Sequence, residues 1–314
     1  MQNTYHFKEL VPIALRSIPY ILQSHLCKGY LALEKIHAQR PHLPDEIWQY
    51  CVSVIREGEP KVSGLMIEEL LDVDAFIDPT SGRNFGPDWI LSRGLMPLSY
   101  WAMRKKYHEI GFPALLQTYL EKALDHPIYL GHEISILAAY WLFYEDVLST
   151  DNAPENTDFF IQRFTEFITT TFDGRNDDVF EHPEIDTPLA ESEILKEALT
   201  NPGFFGHNVL AFVWSQRIKA IMSPEQYVSS LYNLTVMNRW QTDAKPPTLV
   251  TPCEEEWSDE TLEKRLLPFF LEGPTNIHQI TLADALLWAW EHFPEHRQLC
   301  AANILCFTRG ARPQ

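Results

Sequence analysis

The sequence predicts an all-α fold. Apolar residues recur at helical spacing through nine segments, and no run of alternating apolar and polar residues persists long enough to make a strand. With 45% of its 314 residues hydrophobic and 12% aromatic, the chain also has material for a substantial buried core, which excludes a disordered protein.

The helical runs are, in order, Ile13 to Ile36, Ala114 to Leu124, Ile134 to Leu148, Phe159 to Phe172, Val209 to Ile221, Tyr227 to Val236, Leu262 to Leu271, Ile280 to Trp290 and Leu299 to Phe307. Breaks fall at Pro41 to Pro44, Asp78 to Pro87, Thr150 to Asn156, Asp173 to Pro188 and Gln241 to Glu256, where Pro, Gly, Asn, Asp and acidic residues accumulate. The helices flanking each break are too apolar to stand alone, so the breaks read as loops. Residues 1–314 then form one domain, an irregular helical bundle with an internal apolar pocket. The acidic stretch from Asp173 to Asp186 lacks the alternating carboxylates and terminal Glu of an EF-hand and reads as a solvated loop. The loop from Gln241 to Glu256 is stiffened by Pro246, Pro247 and Pro252 and reads as a surface excursion, with a pocket lid as the other possibility.

A balance of 25 basic against 43 acidic residues gives a formal charge of −18, which repels nucleic acid and anionic lipid surfaces alike. No basic n-region with an apolar core opens the chain, and no stretch of about 18 apolar residues follows, so neither secretion nor membrane insertion is expected. Cys27, Cys51, Cys253, Cys300 and Cys306 form no CxxC pair, and their odd number argues for a reducing, cytoplasmic setting rather than a disulfide framework. Cys27 and Cys300, in apolar helical contexts, read as core thiols.

Nucleotide, flavin, α/β-hydrolase and zincin motifs are absent: there is no GxGxxG, GxxxxGK[ST], GxSxG or HExxH, since Ile136 stands where the zincin motif needs its second histidine. His292 and His296 have the spacing of two helical ligands, but Pro294 between them predicts a turn with two exposed histidines.

Histidines at helix starts carry the functional expectation. Gly131-His132-Glu133-Ile134 and Gly206-His207-Asn208-Val209 each place a histidine at the mouth of an apolar helix. His278 follows Thr275 and Asn276, either of which can cap its helix, and His25 is expected inside one. In a first helical turn the dipole disfavours protonation, as burial does, and neutral imidazole is the form that ligates metal. Any one such histidine is usually a core or capping residue. Four converging in an apolar pocket would hold Fe, Zn, Cu or Ni, with positions left open for substrate and, on iron, dioxygen.

These segments resemble the questin oxidase-like proteins, helical oxygenases acting on anthraquinone-type polyketides. The family's early histidine before an apolar helix with an Ala-Leu pair is similar to His25-Leu26-Cys27-Lys28-Gly29-Tyr30-Leu31-Ala32-Leu33, and its mid-chain histidine helix to His132-Glu133-Ile134. The later pattern of His, Val, Ala, an Arg and a Leu-Pro-like turn resembles His207 through Ala211, Arg217-Ile218 and Met222-Ser223-Pro224. Its His-x-Ile-Lys-x-x-Glu-Ala resembles His278-Gln279-Ile280-Thr281-Leu282-Ala283-Asp284-Ala285, with Ala301-Ala302 beyond, so the likeness runs from about residue 20 to 305 in short, degenerate motifs.

The resemblance implies Fe(II) held by His25, His132, His207 and His278. It also implies a lysine, modified to a carbamate, that completes the metal site. Thr281 occupies the lysine position, which removes a possible anionic ligand. Asp284, at the family's Glu position, would supply a carboxylate, orient a histidine, or simply be solvated. Thr281 and Asp284 are the candidate catalytic positions.

The expected function is an iron-dependent oxygenase that opens a planar aromatic or polyketide small molecule with dioxygen, by a dioxygenase or Baeyer-Villiger course. Trp141, Trp214, Phe212 and Trp288 are candidate stacking partners, each alternatively a core residue. The alternatives are a non-catalytic helical binding or scaffold protein with structural histidines, and a metal-independent hydrolase or cyclase pairing His207 with Glu133 or Asp284.

Overall fold

A computed structural model describes residues 7–18, 25–65, 86–125, 127, 129–172, 183–240, 249–273 and 276–308. These residues form thirteen α-helices and no strand: α1 (Val11–Arg16), α2 (His25–Gln39), α3 (Asp45–Glu57), α4 (Pro87–Ser92), α5 (Leu98–Leu124), α6 (His132–Leu148), α7 (Ala153–Thr171), α8 (Glu191–Thr200), α9 (His207–Arg217), α10 (Pro224–Arg239), α11 (Asp259–Glu272), α12 (Ile277–His292) and α13 (Arg297–Thr308). The fold is all-α, as the helical spacing predicts. Most of the buried apolar side chains, from Phe7 to Phe307, make one contiguous cluster.

Four helices stand at the centre, and the sequences of three of them leave little face for water. Every residue of α6 from His132 to Tyr140 and of α9 from His207 to Ser215 is buried, and so is most of α12. A helix that is apolar all round must be surrounded. The four close into a ring in which α2 packs on α6 and α12, and α9 packs on the same two helices. The first turns of α6, α9 and α12 meet at one end of that ring.

The outer helices hold the ring in place. α5 and α7 cover α6 and pack on each other through edge-to-face aromatic contacts, Tyr140 of α6 meeting Phe164 of α7 at 5.1 Å and Phe112 of α5 meeting Phe160 of α7 at 4.8 Å. Each such pair adds roughly 0.5–1.5 kcal/mol to the burial of its rings. α8 and α10 back α9, while α11 and α13 back α12.

Several expectations change in detail. The predicted run from Ile13 to Ile36 is two helices, since Ser17 turns extended after α1 (ψ 138°). α5 is interrupted at Gly111 (φ 75°, ψ 164°), two residues before Pro113. Pro294 does end α12, but of the two histidines around it only His292 is exposed. His296 is 9% exposed because its Nε2 donates to the Ser192 carbonyl at 2.8 Å. Most of the acidic stretch at 173–186 lies outside the described residues. Of the proline-rich loop, residues 249–256 lie against the protein, with Val250 N–H donating to Thr200 O and Cys253 N–H to Gln298 O. Cys27 and Cys300 are buried. Among the described residues no helix is long and apolar enough to cross a membrane.

Candidate metal centre

His132 and His207 are delivered by the same backbone device. Leu130 (φ 72°, ψ −10°) and Gly131 (φ 56°, ψ 30°) are both left-handed before α6, and Phe205 (φ 49°, ψ 28°) and Gly206 (φ 79°, ψ 19°) repeat this before α9. For a leucine or phenylalanine that conformation costs about 1–3 kcal/mol, and such strain collects at functional sites. Both glycines are also pressed by neighbours. A Cβ on Gly131 would lie 2.7 Å from the Ala211 Cβ, and one on Gly206 would lie 2.6 Å from the Leu282 Cδ1. Each turn therefore fixes the residue after it as the first of a buried helix, and that residue is a histidine.

His278 also stands in a first turn. The side chain of Asn276 caps α12 by accepting the His278 N–H at 2.9 Å. His25 is the first described residue of α2. Ring centroids are 5.3 Å apart for His25 and His132, 4.7 Å for His132 and His207, 5.1 Å for His207 and His278, and 5.0 Å for His278 and His25. The four imidazoles thus form a closed ring, each resting on the next.

Atom positions within the ring suit a metal ion. His207 Nε2 lies 2.9 Å from His132 Nε2, and one ring nitrogen from each of His25, His132 and His207 falls within 4.8 Å of the others. Nitrogens bound to one ion at about 2.1 Å are separated by roughly 3.0–3.4 Å, so the first pair already has ligand spacing. On its far side His207 Nδ1–H donates to the Phe204 carbonyl, which leaves Nε2 as the lone-pair nitrogen facing the ring. His278 Nε2 is buried and has no hydrogen-bond partner among the described residues. An ion in the ring would supply one.

Electrostatics keep these imidazoles neutral. Burial lowers His132 and His278 well below the ordinary histidine value and His207 to about 3, and the neighbouring histidines and Lys28 add to the effect. The positive ends of α6, α9 and α12 at the same place push in the same direction.

No family model, curated protein or solved structure matches the chain. What the centre does is therefore read from its own atoms.

Thr281 and Asp284 both face away from a ligand role. Thr281 Oγ1 donates to the His278 carbonyl of its own helix at 3.2 Å. Asp284, 1% exposed, accepts from both terminal nitrogens of Arg217 at 2.6 and 2.7 Å. Glu133 is buried beside Ala123, Ser230 and Asn233 in a narrow pocket, where burial lifts its carboxyl to about 8.

The expected stacking residues lie elsewhere in the core: Phe212 packs on Trp288, Trp288 stacks on His292, and Trp141 is half-buried against the core. Trp214 lies beneath the Arg217 guanidinium (4.6 Å) and the Lys28 ammonium (5.5 Å).

The rings that do lie on the histidines are Phe205, stacked on His278 at 5.2 Å, and Phe204, stacked on His207 at 5.8 Å. Sequence reasoning passed over these two, although Phe-Phe-Gly-His marks them. It also passed over Lys28, one turn along α2 from His25 and 2% exposed. A lone lysine inside His-Leu-Cys-Lys-Gly-Tyr-Leu-Ala-Leu was its signal.

Proposed function

We propose that this protein is a metal-dependent oxygenase of the questin oxidase-like kind. In this reading His25, His132 and His207 hold ferrous iron, with His278 as a fourth ligand, and the substrate is a planar, electron-rich aromatic or polyketide-type small molecule. The observation that carries the reading is the facing pair of buried, neutral histidine nitrogens at 2.9 Å inside a ring of four imidazoles, the other two of them partly buried. Nitrogen ligands of this kind suit iron, copper, nickel and zinc, and a ferrous ion with open positions supplies dioxygen activation.

The chain's own residues account for the rest. The Phe204 carbonyl holds the His207 Nδ1 proton, so Nε2 presents its lone pair. Phe205 and exposed Phe204 offer flat faces at the edge of the ring, where a planar substrate can stack. All-imidazole ligation leaves the full charge of the ion uncompensated, which favours an anionic ligand oxygen beside it. A cytoplasmic location belongs to the same reading, since all five cysteines are free thiols.

One observation favours a second reading, a non-catalytic helical binding protein. The two positions expected to bring catalytic chemistry are engaged elsewhere, Thr281 by its own helix and Asp284 by Arg217.

Metal analysis separates the two. Protein purified without oxygen or an affinity tag is expected to carry about one iron per chain, lost in His207→Ala and in His278→Ala. Wild-type protein that takes up no metal, even after reconstitution with ferrous iron, would overturn the oxygenase and leave the binding protein.

A further inference from the structure

Three helices of the ring carry a second polar layer directly inside the histidines. Lys28 is one turn from His25 on α2, Asp284 is six residues beyond His278 on α12, and Trp214 is two turns beyond His207 on α9. All three are buried, and Arg217 joins them from the end of α9.

The hydrogen bonding of this layer is incomplete in one direction only. Asp284 is its sole carboxylate among the described residues, and both of its oxygens are taken by Arg217 at 2.6 and 2.7 Å. Lys28 Nζ rests over the Trp214 ring at 5.5 Å and has no hydrogen-bond acceptor among the described residues. The Trp214 indole Nε1 is also buried without a partner. The indole nitrogen is therefore a fully buried donor left wanting an acceptor, which is costly, and the ammonium of buried Lys28 beside it has only an aromatic face.

The surrounding field has the same sign. Lys28, Arg217 and the positive ends of α6, α9 and α12 converge against one carboxylate, in a chain whose overall charge is −18. Burial and Arg217 both work against the Lys28 ammonium, Asp284 alone works for it, and Lys28 in turn disfavours protonation of His132, His207 and His278.

We propose that the ligand received at the histidine ring carries an anionic oxygen, as a phenolate, enolate or carboxylate does, and that Lys28 binds that oxygen. The inference deepens the oxygenase reading by naming the charge of its substrate. It rests on that reading for the metal, but not for the anion.

The test uses 4-nitrophenol, whose ionised form is coloured, with 4-nitroanisole as the analogue that cannot ionise. Both are titrated into the full-length protein, metal-free and iron-loaded, with metal content measured on the same samples. Wild type is expected to prefer the phenolate over the anisole and to shift the ionisation of the bound phenol to lower pH. Lys28→Met should weaken phenolate binding by about tenfold or more and abolish that shift, with anisole binding unchanged, while Lys28→Arg retains the shift. Circular dichroism and thermal melting establish that the variants fold, and the wild-type preference for phenolate over anisole requires no variant.

The proposal falls if wild type binds the anisole as well as the phenolate or binds neither, or if Lys28→Met binds the phenolate undiminished. Lys28-dependent phenolate binding by protein that takes up no iron would keep this inference and sink the oxygenase. Bound iron with phenolate binding indifferent to Lys28 would do the reverse.

Discussion

The Nε2 atoms of His132 and His207 face each other at 2.9 Å across 75 residues of sequence, and each is placed by a left-handed pair ending in glycine. Because the Phe204 carbonyl takes the His207 Nδ1 proton, the metal-free protein can hold this contact only with His132 as donor and His207 as acceptor. A metal held by the pair would replace that one shared proton with two coordinate bonds.

The two histidines are therefore expected to act as a unit. His132→Ala and His207→Ala should each weaken metal binding by more than about 100-fold, since changes outside the ligand shell alone cost 10–100-fold. The double variant should be little worse than either single one. Competition against a chelator measures all three.

Backbone strain at the two turns gives a prediction about geometry. At Gly131 an added methyl meets the Cβ of Ala211 at 2.7 Å and the Met237 sulfur at 2.8 Å, and the Ala211 Cβ sits on a helix backbone and cannot swing aside. At Gly206 it meets only the flexible end of Leu282. Gly131→Ala should thus cost about 2–4 kcal/mol, combining left-handed strain with overpacking, and Gly206→Ala less. Denaturant unfolding checks the order, and both variants should bind metal more weakly because each turn aims a histidine.

How far the sequence shows all this depends on the scale of the feature. Apolar helices such as α6, α9 and α12 are legible because a helix without a polar face can only be central. α3 carries Ile47, Trp48, Cys51, Val54 and Ile55 on one face, a pattern present in the sequence and passed over beside the louder runs. The Gly-His repeats point to the two turns, but not to the left-handed Leu130 and Phe205, whose conformations are imposed by packing. Position 284 reads as a ligand or a solvated residue, and only the fold brings Arg217 against it from another helix. Contacts across the ring, such as those of Phe205 and Lys28, depend on tertiary placement that helical spacing cannot encode.

The Arg217–Asp284 pair is expected to matter for stability and little for metal. Asp284→Asn leaves a buried guanidinium without its counter-charge, a change that costs about 3–5 kcal/mol. Metal content should survive in whatever fraction folds. Thr281→Val removes one hydroxyl whose bond stays within its own helix, and should cost no more than about 1 kcal/mol. Loss of metal in the folded Thr281→Val protein would show that the hydroxyl reaches the centre after all.

Acid should unfold the metal-free protein through its histidines. The unfolded chain takes up a proton at His207 near 6.5, whereas the folded protein resists until about 3 because the imidazole is buried. Below pH 6.5 the unfolded state therefore binds more protons, and the stability that His207 contributes above that value is lost as pH falls toward 3. The slope is about 1.4 kcal/mol per pH unit for each such group, and His132 and His278 add to it.

Glu133 opposes them. Burial raises its carboxyl from 4.5 to about 8, so the folded state holds the extra proton between those values and gains stability as pH falls through that window. His207→Gln should consequently recover relative to wild type as pH drops from 6.5 to 4.5. Glu133→Gln should show its largest advantage over wild type above pH 8 and lose it on acidification. Denaturant unfolding of the three metal-free proteins across this range measures both trends, and parallel curves for wild type and His207→Gln would mean that the imidazole takes up its proton at the same pH in the folded as in the unfolded state.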